Sequence, residues 1–274
     1  MTVEAQVAKH YTHGSLEQAI FAALRQAGKN PDALQPDDLA GVDEFHFGWR
    51  AATVELAKAL NLKPQSHLLD IGSGIGGPAR YFANVFGCKV TGVDLTPEFV
   101  AVATSLTRRC GLDDRVSFRQ GSALALPFED ARFDAATLIH VGMNIADKAK
   151  LFAEAHRVLK KGGTFLVYDI MRTADAVIPY PMPWSQTAET SFVETPEAYR
   201  TKLREAGFTV GAETNRRDFC MAVAREMREK AEKGGPPPVN LSVLMGAEGK
   251  PRLDNVFATL EAGTIAPIEI EATK

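Results

Sequence analysis

The run His67-Leu68-Leu69-Asp70-Ile71-Gly72-Ser73-Gly74-Ile75-Gly76-Gly77 takes a short apolar stretch into a glycine-rich loop. Asp70 sets a carboxylate near the end of that stretch, and a helix begins near Pro78. Glycines let a ligand come close to the main chain. Gly72, Gly74 and Gly77 satisfy a dinucleotide fingerprint when it is applied literally. Charge argues otherwise: a pyrophosphate wants bare amides at a helix start, and a neighbouring carboxylate repels it. S-adenosylmethionine carries a sulfonium and an ammonium instead, and a carboxylate favours both. Asp70 therefore suits a sulfonium cofactor better than a nicotinamide one. A second carboxylate, Asp94, ends the apolar run Lys89-Val90-Thr91-Gly92-Val93, 24 positions after Asp70. An acid at the end of the second strand of a βαβ unit accepts hydrogen bonds from ribose hydroxyls, a group both cofactors share. Asp94 also has a structural alternative as a helix-start acid, because Thr96-Pro97-Glu98 offers a cap, a first-turn proline and a first-turn acid.

These pieces, followed by Leu124-Ala125-Leu126-Pro127-Phe128 and Val158-Leu159-Lys160-Lys161-Gly162-Gly163, resemble the class I S-adenosylmethionine-dependent methyltransferases over roughly residues 65–170. The resemblance implies that Asp70, Gly72, Ser73 and Gly74 hold the methionine moiety and Asp94 the ribose, while Leu95 and Ala123 flank the adenine. Ser122 stands where the family often has an acid that holds the adenine amino group; its hydroxyl can accept one such bond. The implied activity is methyl transfer to a small-molecule acceptor. The competing classes are an NAD(P)-dependent oxidoreductase and a protein that binds S-adenosylmethionine without turnover.

Methyl transfer is an in-line displacement at a carbon the cofactor has already activated, so the protein must align the nucleophile, exclude water and manage one proton. His140 lies just past the fourth strand, where open α/β sheets build their ligand crevice. A histidine neutral near pH 7 can take a proton from an alcohol, phenol or ammonium, so His140 is the candidate base. The alternatives are a wall that contacts cofactor or substrate, or a purely structural ring. Asp43-Glu44-Phe45-His46-Phe47-Gly48-Trp49 is rich in aromatics within a helical region and reads as a lid element. Tyr11 and His46 carry polar ends toward the expected acceptor pocket, whereas Phe45 and Phe47 suit ordinary packing. Tyr180 and Trp184, in a proline-rich loop, are expected to form the opposite wall. His10-Tyr11, Phe45-His46-Phe47-Gly48, the run from His140 to Ile145 and the run from Tyr180 to Trp184 resemble the small-molecule group near the sarcosine/dimethylglycine N-methyltransferases. Trp49 departs from the glycine which that resemblance leads one to expect after Gly48.

The elements that must carry these residues follow from periodicity. Strands are expected near 67–71, 88–94, 116–120, 133–139 and 164–169, with helices near 78–86, 96–110 and 147–160. That alternation predicts an α/β Rossmann-like sheet, mostly parallel and covered on both faces. The resemblance extends it to seven strands with an antiparallel last strand. Residues 1–62 are expected to form a helical N-terminal lid, with Ser15 and Gln18 as a capping box before the apolar face Leu16, Ile20, Ala23 and Leu24. The core spans 63–170 and a substrate-side loop 171–194. Residues 195–274 complete the core, with a helical insertion at about 218–262. The closing run Ile268-Glu269-Ile270-Glu271-Ala272 alternates, as suits an antiparallel strand with one exposed face.

The chain has 274 residues, 45% of them hydrophobic, enough for one large core. A net charge of −3 gives no general attraction to nucleic acid, and no partner of that kind is expected. The three cysteines have no metal-type spacing, so no metal is expected. The absence of a long apolar span or a cleavable leader leads to the expectation of a cytoplasmic protein without membrane contact. No feature of the sequence sets an oligomeric state.

Overall fold

The computed structural model describes residues 2–246 and 249–274; Met1 of the expected lid and Ala247–Glu248 of the expected insertion lie outside them. The N-terminal part carries helices α1 (Val3–Tyr11), α2 (Leu16–Gln26) and α3 (Trp49–Ala57). The core then alternates β1 (His67–Ile71), α4 (Gly77–Phe86), β2 (Lys89–Asp94), α5 (Pro97–Arg109), β3 (Val116–Gln120), β4 (Phe133–Ile139), α6 (Lys148–Val158) and β5 (Leu159–Arg172). It closes with α7 (Pro196–Glu205), β6 (Thr209–Asn215), α8 (Arg217–Gly234), α9 (Ser242–Met245), α10 (Gly249–Glu261) and β7 (Ile265–Thr273).

The seven strands form one sheet in the order β3-β2-β1-β4-β5-β7-β6. Strands β1 to β5 pair in parallel, and β7 runs antiparallel to both β5 and β6. The order reverses between β1 and β4, and such a switch point opens a crevice beyond the C-terminal strand ends. Phe82 of α4, Leu56 of α3 and Leu260 of α10 bury against one face. Phe152 of α6 and Tyr199 of α7 bury against the other. Each such side chain stabilises the fold by about 1.5–3 kcal/mol through the area it removes from water. In α2, Leu16, Ile20, Ala23 and Leu24 do share one buried face, packed with Leu106 of α5.

Two local expectations need correction. Ser15 makes no side-chain cap. The carboxylate of Glu98 instead accepts bonds from the backbone amides of Gly14 (3.0 Å) and Leu16 (3.2 Å). An ionised acceptor from α5 satisfies the open helix end better than a serine hydroxyl does. The closing strand β7 is not exposed on one face but is almost wholly buried between its two neighbours. Its inward acid Glu269 is matched by Arg216, whose Nε donates at 2.7 Å. The exposed edge strand is β6, whose polar residues pair with β7 without showing an apolar pattern.

Candidate active site

The glycine loop leaves β1 at its C-terminal end. Gly72 (φ +73°) and Ser73 donate their backbone N–H groups to the carbonyl of Val93, at 2.7 and 3.0 Å, which ties the loop to β2. A Cβ at Gly72 would lie 2.3 Å from Val141, so the turn requires glycine. Gly74 (φ +52°) is different: a Cβ there would meet nothing within 4 Å. That open space belongs to a cavity of about 240 Å³ lined by Asp70, Gly72, Ser73, Gly74, Asp94 and Leu95, among others.

The polar atoms of this cavity are mostly acceptors. Asp70 is buried; its Oδ1 accepts the Thr137 hydroxyl at 2.8 Å, while Oδ2 has no partner among the described residues. Burial pushes the Asp70 carboxyl up to about 7 against the pull of Thr137. Asp94 accepts the backbone N–H of Gly74 at 2.9 Å and that of Thr96 at 2.8 Å. One carboxylate thus steadies both the glycine loop and the start of α5 while lining the cavity. Burial raises its pKa, and those bonds hold it back.

Asp43 was not singled out by spacing, yet it lines the same cavity. Its Oδ2 accepts Arg80 Nη2 at 2.8 Å, both side chains are fully buried, and Oδ1 has no described partner. Arg80 also donates to the Ile75 carbonyl at 2.8 Å. A Cβ on Gly77 would fall 2.1 Å from the Asp43 carbonyl oxygen, so the lid loop lies directly on the glycine loop. Glu4 of α1 is a second residue that spacing missed: it lines the cavity and accepts a short bond from the Ser122 hydroxyl. No sequence signal marks either one, because their partners are 37 and 118 positions away.

Ala123 and Leu95 line the cavity, whereas Ser122 sits beside it and also accepts the Leu124 N–H at 3.0 Å. His140 follows β4 in a left-handed conformation (φ +53°), its N–H given to the Tyr168 carbonyl at 2.7 Å. Both ring nitrogens are buried with no partner among the described residues, and burial holds the ring's pKa well below its ordinary value.

His140, His46, Tyr11 and Phe45 also line a second, smaller cavity of about 50 Å³. Its other walls include Phe47, Trp49, Met143 and Trp184. Phe45 and Phe47 are therefore cavity walls as well as packing. Tyr11 donates its hydroxyl to Asn144 Oδ1 at 3.0 Å, and Asn144 Nδ2 donates to the Trp184 carbonyl at 2.8 Å, which joins α1, the β4 exit and the proline-rich loop. Tyr180 lines neither cavity; it is half-buried and packs against the core. The structure thus brings Tyr11, His46, Trp184 and His140 together and leaves Tyr180 apart.

No lysine or arginine lines the larger cavity among the described residues. A pyrophosphate would find no cationic partner there and the carboxylates of Asp43, Asp70 and Asp94 against it. A ligand with positive charge, a ribose and an apolar ring system fits the same surface: Asp70 and Asp43 for charge, Asp94 for hydroxyls, Leu95 and Ala123 for the ring.

A methyltransferase-domain family model matches residues 69–167. The chain is 31% identical over 158 residues to a sarcosine/dimethylglycine N-methyltransferase of Halorhodospira halochloris, covering 57% of each protein. It is 38% identical over 120 residues to a sterol 4-C-methyltransferase of Caenorhabditis elegans, covering 44% of this chain and 36% of that one. The matches therefore span between about a third and a little over half of these relatives' lengths. Among solved structures, a phosphoethanolamine N-methyltransferase of Haemonchus contortus shares the fold with a TM-score of 0.72 at 22% identity, over 100% of this chain and 60% of that one. Residues 69–167 thus match a methyltransferase domain, and the solved structures share the fold that surrounds it.

Proposed function

We propose that this protein transfers a methyl group from S-adenosylmethionine to a small-molecule acceptor. The observation that carries the reading is the junction of the two cavities. A carboxylate-lined cavity at the glycine loop, with no lysine or arginine among its described lining residues, meets a small aromatic cavity across His46, His140, Tyr11 and Phe45. The donor supplies a methyl carbon already activated by its sulfonium. In this reading Asp70 and Asp43 bind the donor's positive charges, and Gly72, Ser73 and Gly74 give it backbone access. Asp94 takes the ribose hydroxyls, while Leu95 and Ala123, with Ser122 and Glu4 behind them, hold the ring end. Tyr11, His46 and Trp184 orient the acceptor in the aromatic cavity. His140, with two unpartnered nitrogens in the shared wall, contacts both ligands. The buried rings exclude water and hold the acceptor in line, which is where most of the rate is gained.

The small aromatic cavity suits an acceptor that stacks or packs against rings. Relatives named for sterol and for sarcosine/dimethylglycine methylation frame the range. A nucleic acid is not among the acceptors we propose. Among the described residues no helix is long and apolar enough to cross a membrane. Cys88, Cys110 and Cys220 are free thiols, as a reducing compartment keeps them, and we place the protein in the cytoplasm.

Calorimetric titration with S-adenosylmethionine, S-adenosylhomocysteine and NAD tests the donor. Acceptors are then screened as amines, phenols, sterols and carboxylates, read by S-adenosylhomocysteine release. Binding of NAD with no response to S-adenosylhomocysteine would overturn the reading. Donor binding with no release across the screen would favour a binding protein without turnover.

A further inference from the structure

His46 and His140 stack against one another at the cavity junction, with ring centroids 5.9 Å apart and planes 25° apart. They differ in what surrounds their nitrogens. Neither nitrogen of His140 has a partner among the described residues, so nothing there sets its tautomer. His46 Nε2 lies 3.1 Å from the Trp49 carbonyl oxygen, 3.1 Å from Thr53 Oγ1 and 3.5 Å from Glu44 Oε2.

Each of these three neighbours offers a lone pair. A carbonyl oxygen can only accept. The Thr53 hydroxyl commits its hydrogen to Glu44 Oε2 at 2.7 Å. Glu44 also accepts a short bond at Oε1 from Arg50 Nε, so both of its oxygens face donors. A neutral ring in this setting places its proton on Nε2 and its lone pair on Nδ1. Burial pushes His46 down to about 4, so the ring is neutral near pH 7. Trp49 holds a left-handed φ of 44° beside Gly48 at 83°, a conformation unusual for a bulky residue, and it is the Trp49 carbonyl that meets the ring.

We propose that His46 Nδ1 accepts the proton that the acceptor gives up, with Thr53, Glu44 and the Trp49 carbonyl positioning it by fixing the tautomer. The inference rests on the methyl-transfer reading of the same junction. The acceptor is then a molecule whose attacking atom carries a dissociable hydrogen, a hydroxyl or an amine. Its electron pair forms the new bond to the methyl carbon as the carbon–sulfur bond breaks with its pair going to sulfur. Its proton passes to Nδ1, and the imidazolium so formed faces Glu44 Oε2 through Nε2–H, an acid that burial and Asp43 raise to about 8 and that Arg50 and Thr53 hold back. This moves the proton from His140, where position in the chain puts it, to the ring whose environment prepares it.

The tautomer can be read without ligand, by long-range 1H–15N correlation of the full chain labelled at histidine, with His46→Asn used for assignment. His46 is expected to carry its proton on Nε2. Thr53→Val is expected to mix the tautomers, and Thr53→Ser to restore the single form. A His46 protonated on Nδ1 in the unmodified chain overturns the proposal, whatever the outcome of any acceptor screen. With an acceptor in hand, His46→Asn is expected to lower kcat by about 10²–10⁴ while donor Kd holds. A folded His46→Asn chain with near-normal kcat overturns it too. Absence of turnover by the unmodified chain on every acceptor counts against the methyl-transfer reading instead and leaves the tautomer measurement standing.

Discussion

Two parts of the N-terminal segment line the same cavity, and they are held in opposite ways. The loop around Asp43 is fastened to the glycine loop by a fully buried ion pair with Arg80 and by a backbone approach that leaves no room for a side chain at Gly77. Helix α1 buries none of its own residues. Apart from the Tyr11 ring, which packs on Phe45 and Phe99, polar contacts hold it: Glu4 to Ser122, Tyr11 to Asn144, and His10 Nε2 to the Pro183 carbonyl at 3.0 Å. Water competes for such contacts, whereas an ion pair sealed from water has no substitute partner. The end of the cavity lined by Asp43 and Asp70 is thus built into the fold, while the end beside Glu4 is closed by a helix held from the surface.

The fastened part breaks most expensively. Arg80→Met should destabilise the chain by about 3–5 kcal/mol, because Asp43 is left buried without its partner. Urea unfolding measures this, and the double variant with Asp43→Leu should recover part of the loss. A cost under about 1 kcal/mol would mean that the loop is not fastened there.

Asp70→Asn keeps an acceptor for Thr137 but removes the charge. Donor affinity should drop by about 10–100-fold, since hydrogen bonds to charged groups are worth about 1.5–3 kcal/mol. Calorimetry reads it, and an unchanged Kd would relieve Asp70 of that role.

The same carboxyl gives a pH test. With the Asp70 pKa raised to about 7, the free site is largely protonated below that pH, and a cationic donor must displace the proton. Donor affinity should therefore fall as pH falls below 7, approaching about tenfold per unit. S-adenosylhomocysteine, which lacks the sulfonium, should show a shallower slope. Equal slopes would place the sulfonium away from Asp70.

Helix α1 should respond least. Glu4→Gln at a half-exposed position is expected to weaken donor binding by about two- to fivefold, the range of a solvent-screened interaction. Native-state hydrogen exchange should find α1 amides opening well before those of α4, and donor should slow α1 selectively. Equal protection in both helices would dissolve the contrast.

The same contrast governs how much the sequence disclosed. The elements that carry the fastened end follow local rules: an apolar run, glycines at a sharp turn, an acid at a strand end. Strands at 67–71, 116–120 and 133–139 accordingly fall where periodicity puts them. Strand β5 runs from 159 to 172 rather than 164–169 because Leu159 pairs with Phe133 across an irregularity, and neighbours override the glycines. Strand β6 extends through Gly211 and Glu213 on the strength of β7 alone. Asp43, Glu4 and the groups around His46 take their roles from packing rather than from spacing. A carboxylate 37 positions from its arginine leaves no periodic trace.

The sheet order also carries a consequence for synthesis. Strand β6 leaves the ribosome before the strand it pairs with, and residues 216–264 must follow before β7 begins. At ordinary elongation rates that interval lasts roughly 2–10 s. Through it the outer edge of β5 and the whole of β6 have no strand partner, the condition in which nascent chains pair wrongly or recruit chaperones. The late arrival of one strand makes the second half of this fold a single, delayed event.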